Sequence, residues 1–501
     1  MRRHEMAGYH MIPPEPRPLI TDNSAFKDLA CPPIWRTSHW LGINARHRPY
    51  AATARPPTMV LAIVLAKSTQ TSSVSRMRHS GLSGLKWLPL ALASLFLCSG
   101  CAFLPRPSKL SGNRAFIKYW PPDPNGKGLR LAVKDNIDMK GVVTTAGSEI
   151  FSITHKPAEK DAACLAIARQ RKVQIVGKTN LSEFAVSPSG MNEYFGTAVN
   201  PLKRNLIPGG SSSGNAVALA SGMADVAIGT DTAGSVRVPA ACCGVVGLKT
   251  TFGLIPIEGC YPVEKHLDTV GPMGKDIAHT VQGMELLQNG FGARYAAAKA
   301  AKPTAGSIRV GRLKLKGTDP KIDQAIDDAL AKTGFQVVAL DESLSEQFEQ
   351  AKKDGTTVAS AGAWVSNGRF QLAVTARTQS VLRLGQINYT TSYRSALARR
   401  GAWQRTLREA FEKVDFIALP TLQKNPPELP LLNLRIGIRE AQMLPLQNTA
   451  AVNLAGNPAL AVPVALRGAK VPVTSLQLIG PRLSEADLLN AGRLVESAMQ
   501  Q

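Results

Sequence analysis

The run Pro208-Gly209-Gly210-Ser211-Ser212-Ser213-Gly214 sets hydroxyls on a chain that can turn sharply, and Gly229-Thr230-Asp231-Thr232-Ala233-Gly234-Ser235-Val236-Arg237 follows it. Upstream lies Leu131-Ala132-Val133-Lys134-Asp135-Asn136. Together they supply serines and a lysine in segments able to hold them rigidly, and such a set can break an amide bond without a histidine or a metal. A serine hydroxyl is a weak nucleophile until a base takes its proton. Lysine serves as that base only where burial or neighbouring charge destabilises its ammonium. Lys134 closes an apolar triplet that reads as a buried strand, which meets this need. A second hydroxyl, from Ser211 or its neighbours, can relay the proton. The Gly-Gly approach gives bond 210–211 the freedom to be cis. Thr232, Ala233, Gly234 and Ser235 read as a turn entering a helix, where consecutive amides form a nest for a developing oxyanion.

A Gly/Ser run is more often a linker than a site. This one leads into residues 215–223, small and apolar, which read as a tightly packed helix, and then into the strand-like 226–228. A linker does not sit inside a packed helix–strand unit. Further strands are expected over 129–133, 174–176 and 224–228, and amphipathic helices over 158–171 and 277–287. This alternation predicts an α/β fold, a mixed central sheet covered by helices on both faces.

Beyond these segments the sequence resembles the amidase signature family, Ser-Ser-Lys hydrolases of carboxamides, over most of residues 115–498. The resemblance is carried by Lys134, Thr144-Thr145-Ala146-Gly147-Ser148, Gly177-Lys178-Thr179-Asn180, the Ser211 turn and the Ser235 loop. It continues through Gly247-Leu248-Lys249, Gly271-Pro272-Met273, Ala418-Leu419-Pro420-Thr421 and Asn453-Leu454-Ala455-Gly456-Asn457-Pro458. It implies that Ser235 is the nucleophile, Ser211 the cis-serine and Lys134 the base, with Asp231 and Arg237 bracing the nucleophile loop and Ser212 in support. It also implies the family fold, and a substrate pocket shaped by residues 290–410. Three positions depart from the family pattern: Ser213, Asn215 and Ala233. A methyl at Ala233 is expected to narrow the oxyanion site or to alter substrate fit.

The first hundred residues do not share the resemblance. Residues 1–76 are rich in Pro, Arg, His and Ser without periodicity and read as disordered or as a misassigned extension. Residues 77–100 have the order of a signal peptide: basic residues, an apolar run from Trp87 to Cys98, then Ser99-Gly100 before Cys101. Small residues before a cysteine resemble a lipoprotein cleavage site, so Cys101 is expected to carry lipid, 101–114 to be a tether, and 115–501 to be the catalytic domain. The expected location is the cell envelope.

The net charge of +23 taken alone suggests nucleic acid or an acidic surface. Roughly a third of it falls in the first hundred residues, and no nucleic-acid module is readable. Seven cysteines and eight histidines show no zinc-like spacing. Cys164, Cys242, Cys243 and Cys260 are expected as small buried apolar residues. The resulting expectation is an amide hydrolase without metal or cofactor, acting on a small-molecule or peptide amide. The other reading is the glutaminase subunit of a tRNA-dependent amidotransferase, which shares these motifs.

Overall fold

The computed structural model describes residues 112–500, apart from 124, 125, 127, 430–442, 444–446 and 470. The 1–76 extension, the 77–100 leader and Cys101 lie outside the described residues. The strands are β1 (Phe116–Tyr119), β2 (Arg130–Lys134), β3 (Gln174–Thr179), β4 (Val226–Asp231), β5 (Val246–Lys249) and β6 (Thr269–Gly274), followed by β7 (Arg309–Arg312), β8 (Gln336–Val338), β9 (Phe416–Pro420), β10 (Ala459–Ala465) and β11 (Val473–Ile479). They form one mixed sheet of 11 strands in the order β1-β3-β2-β4-β6-β5-β10-β11-β9-β7-β8.

Alternation along the strands explains why both faces are covered. On β2, Leu131 and Val133 enter one apolar cluster with Ile228, Leu248 and Leu478. Ala132 joins a second, with Ala227, Ala216 and Val217. The small residues on this second face let the helix Ser213–Ala220 lie close to the sheet. The approach is tightest at Gly214, where a Cβ would stand 2.2 Å from the Ala115 carbonyl oxygen and 2.4 Å from the Asn180 nitrogen. Any larger residue lifts the helix and the serine turn before it.

β2 runs parallel to both β3 and β4, so their carboxyl ends share one edge of the sheet. Lys134, Thr179 and Asp231 are the last residues of these strands. Crevices at the carboxyl ends of parallel strands are where α/β sheets place ligands. The wall facing this edge comes from the 290–410 region. The long helix Ser343–Asn367 packs beside Ala376–Thr391, joined by Asn388 Nδ2 donating to Ser360 Oγ at 2.7 Å.

Several element boundaries and one burial differ from the sequence expectation; β4 runs Val226–Asp231 where 224–228 was expected. The helix expected over 158–171 is only Ala166–Gln170, preceded by a 3-10 turn at Ala163–Leu165. Its first residues are instead tied to neighbouring loops: the Ala162 amide donates to the Asp138 carbonyl at 3.0 Å and the Ala163 amide to Glu258 at 2.9 Å. The strand expected over 174–176 extends to Thr179, because β1 and β2 pair along its whole length. Cys260 is half-buried where a buried residue was expected, whereas Cys164, Cys242 and Cys243 are buried.

Candidate active site

Lys134 is fully buried at the end of β2. Its Nζ lies 2.7 Å from Ser211 Oγ and 2.9 Å from Thr230 Oγ1. Burial disfavours the ammonium more than Asp231 and Asp268 favour it, and its pKa is pushed down to about 7. A neutral amine keeps a lone pair, and the Ser211 hydroxyl stands where it can donate to it. Thr230 was not anticipated from the sequence, although it stands in the quoted motif. Its hydroxyl accepts from Asn136 Nδ2 at 3.0 Å as well as from Lys134, which fixes the amine's direction. A second buried lysine, Lys178, stands 2.7 Å from Asp135 Oδ1 and is thereby paired. Lys134 has no such close carboxylate partner among the described residues.

Ser211 is fully buried, and the Gly210–Ser211 peptide is cis, the form the Gly-Gly approach permits. The Ser211 carbonyl accepts from the Ser213 amide at 2.9 Å, which turns the chain into the helix Ser213–Ala220. The Ser212 amide donates to the Ser235 carbonyl at 3.2 Å. This clasp brings the two serine loops together, and it is what Ser212 contributes; its hydroxyl is buried without a partner among the described residues. At the departures from the family pattern, Asn215 accepts from the Thr179 hydroxyl, and Ser213 Oγ has no partner among the described residues.

Ser235 is half-buried and faces a cleft together with Thr232 and Ala233. The loop that carries it is held by Asp231. Arg237 donates to both Asp231 oxygens at 3.0 Å, and both side chains are fully buried. Asn453 Nδ2 adds a bond at 2.8 Å, and the amides of Gly234 and Val236 donate at 2.7 and 3.2 Å. Burial alone raises a carboxyl pKa, but the Arg237 charge and these donors outweigh it and hold Asp231 at about 2. Arg237 in turn reaches Gln477 Oε1 at 2.7 Å, linking the loop to β11.

One expectation needs correction. Four consecutive amides, Thr232 to Ser235, were expected to form the oxyanion nest. The Gly234 amide is turned inward to Asp231 Oδ1 at 2.7 Å, and Gly234 is not among the cleft residues. Gly234 has φ +134°, and a Cβ there would stand 2.2 Å from Thr449 Oγ1. The turn therefore presents Thr232, Ala233 and Ser235 to the cleft and commits Gly234 to bracing.

Two further groups were given no role by the sequence reading, although Leu267-Asp268 stands among the motifs that carry the resemblance. Asp268 accepts from Thr232 Oγ1 at 2.6 Å and from the amides of Val263 and Glu264 at 2.9 and 3.1 Å. Burial nevertheless pushes it up to about 6. Thr449, from a distant segment, donates to the Ala233 carbonyl and fixes the loop from outside. Local spacing carries no sign of either contact. Among the described residues, no cluster of three or more His, Cys, Asp or Glu is placed to hold a metal ion, and no helix is long and apolar enough to cross a membrane.

The fold and this arrangement define an enzyme that hydrolyses C–N amide bonds. The chain belongs to the amidase family: the family profile "Amidase" matches residues 122–489. It is 31% identical to a glutamyl-tRNA(Gln) amidotransferase subunit of Halobacterium salinarum, over 74% of this chain and 95% of that one. It is 33% identical to the 2-amino-5-chloromuconic acid deaminase of Comamonas testosteroni, over 75% of this chain and 82% of the other. Among solved structures, the corresponding glutamyl-tRNA(Gln) amidotransferase subunit of Thermotoga maritima superposes with a TM-score of 0.63 at 25% identity, covering 76% of this chain and 87% of that one.

Proposed function

We propose that the protein releases ammonia or an amine from a carboxamide through an acyl-enzyme on Ser235. One observation carries this reading: the buried Lys134 Nζ lies 2.7 Å from Ser211 Oγ, with the Ser211–Ser212 turn bonded to the main chain of Ser235. Ser235 Oγ attacks the carbonyl carbon. Its proton passes to Ser211, and the Ser211 proton passes to neutral Lys134. The amides of Thr232, Ala233 and Ser235 stabilise the oxyanion; a single such donor is typically worth about 3–4 kcal/mol of barrier. The C–N bond then breaks, and the proton returns by the same path to the leaving amine. Water enters, gives its proton to the relay and frees the acid. Ammonia release by the purified chain, together with a covalent acyl adduct mapped to Ser235 by mass spectrometry, tests this reading.

The relatives' names support a second reading, the glutaminase subunit of a tRNA-dependent amidotransferase. The leader-like order over 77–101 supports the first. We propose that the enzyme is exported and anchored through lipid on Cys101, and charged tRNA is not a substrate in the envelope. Hydrolysis by the chain alone, without partner subunits, is the outcome expected of an independent amidase.

A further inference from the structure

The cleft beside Ser235 differs in character from the loop that carries the chemistry. Its wall away from the serine is formed by Val186, Val263, Ala359, Ala363, Val381 and Leu384. The remaining lining residues that carry polar side chains are neutral: serine, threonine and Gln447. Among the described residues no Lys, Arg, Asp or Glu lines it. The cavity is about 60 Å³, room for a handful of water-sized groups. On the helix Ala376–Thr391, Val381 and Leu384 line the cleft, and Ile387, three residues on, is 58% exposed.

Resting on the amide-hydrolase reading above, we infer that the acyl half of the substrate is an uncharged, slender aliphatic chain of about four to six carbons. Apolar walls favour methylenes, and each one taken from water improves binding by about fourfold. A charged group entering the same space loses its hydration and meets no counter-charge among the described lining residues. The α-ammonium and α-carboxylate of glutamine are such groups. Ala359 and Ala363 line the slot, and Leu384, which also lines it, is 41% exposed. Residues 343–391 therefore select the substrate, while the loops of Lys134, Ser211 and Ser235 act on it.

The test compares kcat/KM of the full chain for acetamide, butanamide, pentanamide, hexanamide, L-glutamine and L-asparagine. The specificity constant is expected to climb about fourfold per methylene until the slot is filled. Glutamine is expected at least about a hundredfold below pentanamide. Ala359→Leu should lower the pentanamide-to-acetamide ratio by about tenfold. Leu384→Ser changes an exposed position, which folding tolerates, and should lower the hexanamide-to-acetamide ratio in the same sense. Hydrolysis that is indifferent to chain length, or that favours glutamine over pentanamide, would overturn the inference and leave the amidase reading intact. Failure to hydrolyse any of these amides, while an aryl or peptide amide is hydrolysed, would overturn this inference alone; failure to hydrolyse an amide of any class would overturn the amidase reading, and this inference with it.

Discussion

At the residue scale the proposed mechanism turns on Lys134, because a lysine is a base only when its amine is neutral. Burial brings it to about 7, so the neutral fraction rises through that pH and activity rises with it. We expect kcat/KM against pH to show an acid limb near 7. Lys134→Ala should abolish that limb along with most of the rate, and Lys134→Arg should not restore it. Lys249 is a necessary control, since burial and the nearby Arg237 also push it down to about 7. Its Nζ donates to the carbonyls of Thr250 and Asn457 at 2.9 and 2.8 Å, away from Ser211. A Lys249→Met enzyme should retain the limb; a Lys134→Ala enzyme with a wild-type profile would end the Lys134 assignment. The same shift has a stability consequence. Lys134 folds with a lowered pKa, so the unfolded chain holds more protons between pH 7 and about 10.4, and its contribution to stability rises across that window. Ser235→Ala should cut turnover by at least about a thousandfold. Its melting temperature should stay within a few degrees of wild type, because Ser235 is half-buried at a cleft and the loss of one hydroxyl there removes no packing. A folded Ser235→Ala protein that still turns over would point to another nucleophile.

At the scale of elements, the loop that carries the proposed nucleophile is as important as Ser235 itself. Asp231 receives two amides of its own loop and the Arg237 guanidinium, and all of these groups are buried. Arg237→Met leaves the Asp231 charge without its partner, and such losses cost about 3–5 kcal/mol. Urea unfolding should show this as a lower midpoint. The sign with pH also follows. Asp231 is depressed to about 2 in the fold, so its contribution is full above the unfolded value of about 4 and disappears as pH falls through 2. The wild type should lose stability over that window, and Arg237→Met should show a smaller loss there. Gly234→Ala places a Cβ against Thr449 at a φ that L-residues rarely adopt. It should reduce kcat more than KM, because it moves the amides of Ala233 and Ser235 rather than the acyl slot.

At the scale of the whole molecule, one sheet joins both halves of the site. β2 and β4 supply Lys134, Thr230 and Asp231 from the middle of the chain. Asn453 and Gln477 come from its last part and close on Arg237 from the other side. The envelope reading is tested at the same scale. Mass spectrometry of protein from its native host should find a chain beginning at an acylated Cys101. A product beginning at Met1 in the cytosol would overturn export and favour the amidotransferase reading.

The segments of Lys134, Ser211 and Ser235 are legible in the sequence because the local form of each follows from its own residues, while the part assigned to each serine came from the family resemblance. Apolar triplets make buried strand ends, Gly-Gly permits a cis turn, and Thr-Ala-Gly-Ser makes a tight loop. The α/β class is legible for the same reason, since alternating periodicities are local. The strand ends and the short helix at Ala166–Gln170 are not, because pairing partners and tethering loops set them. Only the folded chain reveals that Gly234 turns from the oxyanion site to Asp231, and that Thr230, Asp268 and Thr449 join the machinery. The same holds for the cleft beside the serine, which residues from 185–188, 263, 356–384 and 447 line together with the Ser235 loop. These contacts join groups up to 216 residues apart, as with Thr449 and Ala233. No local spacing encodes such contacts; they exist because the sheet brings distant strand ends to one edge.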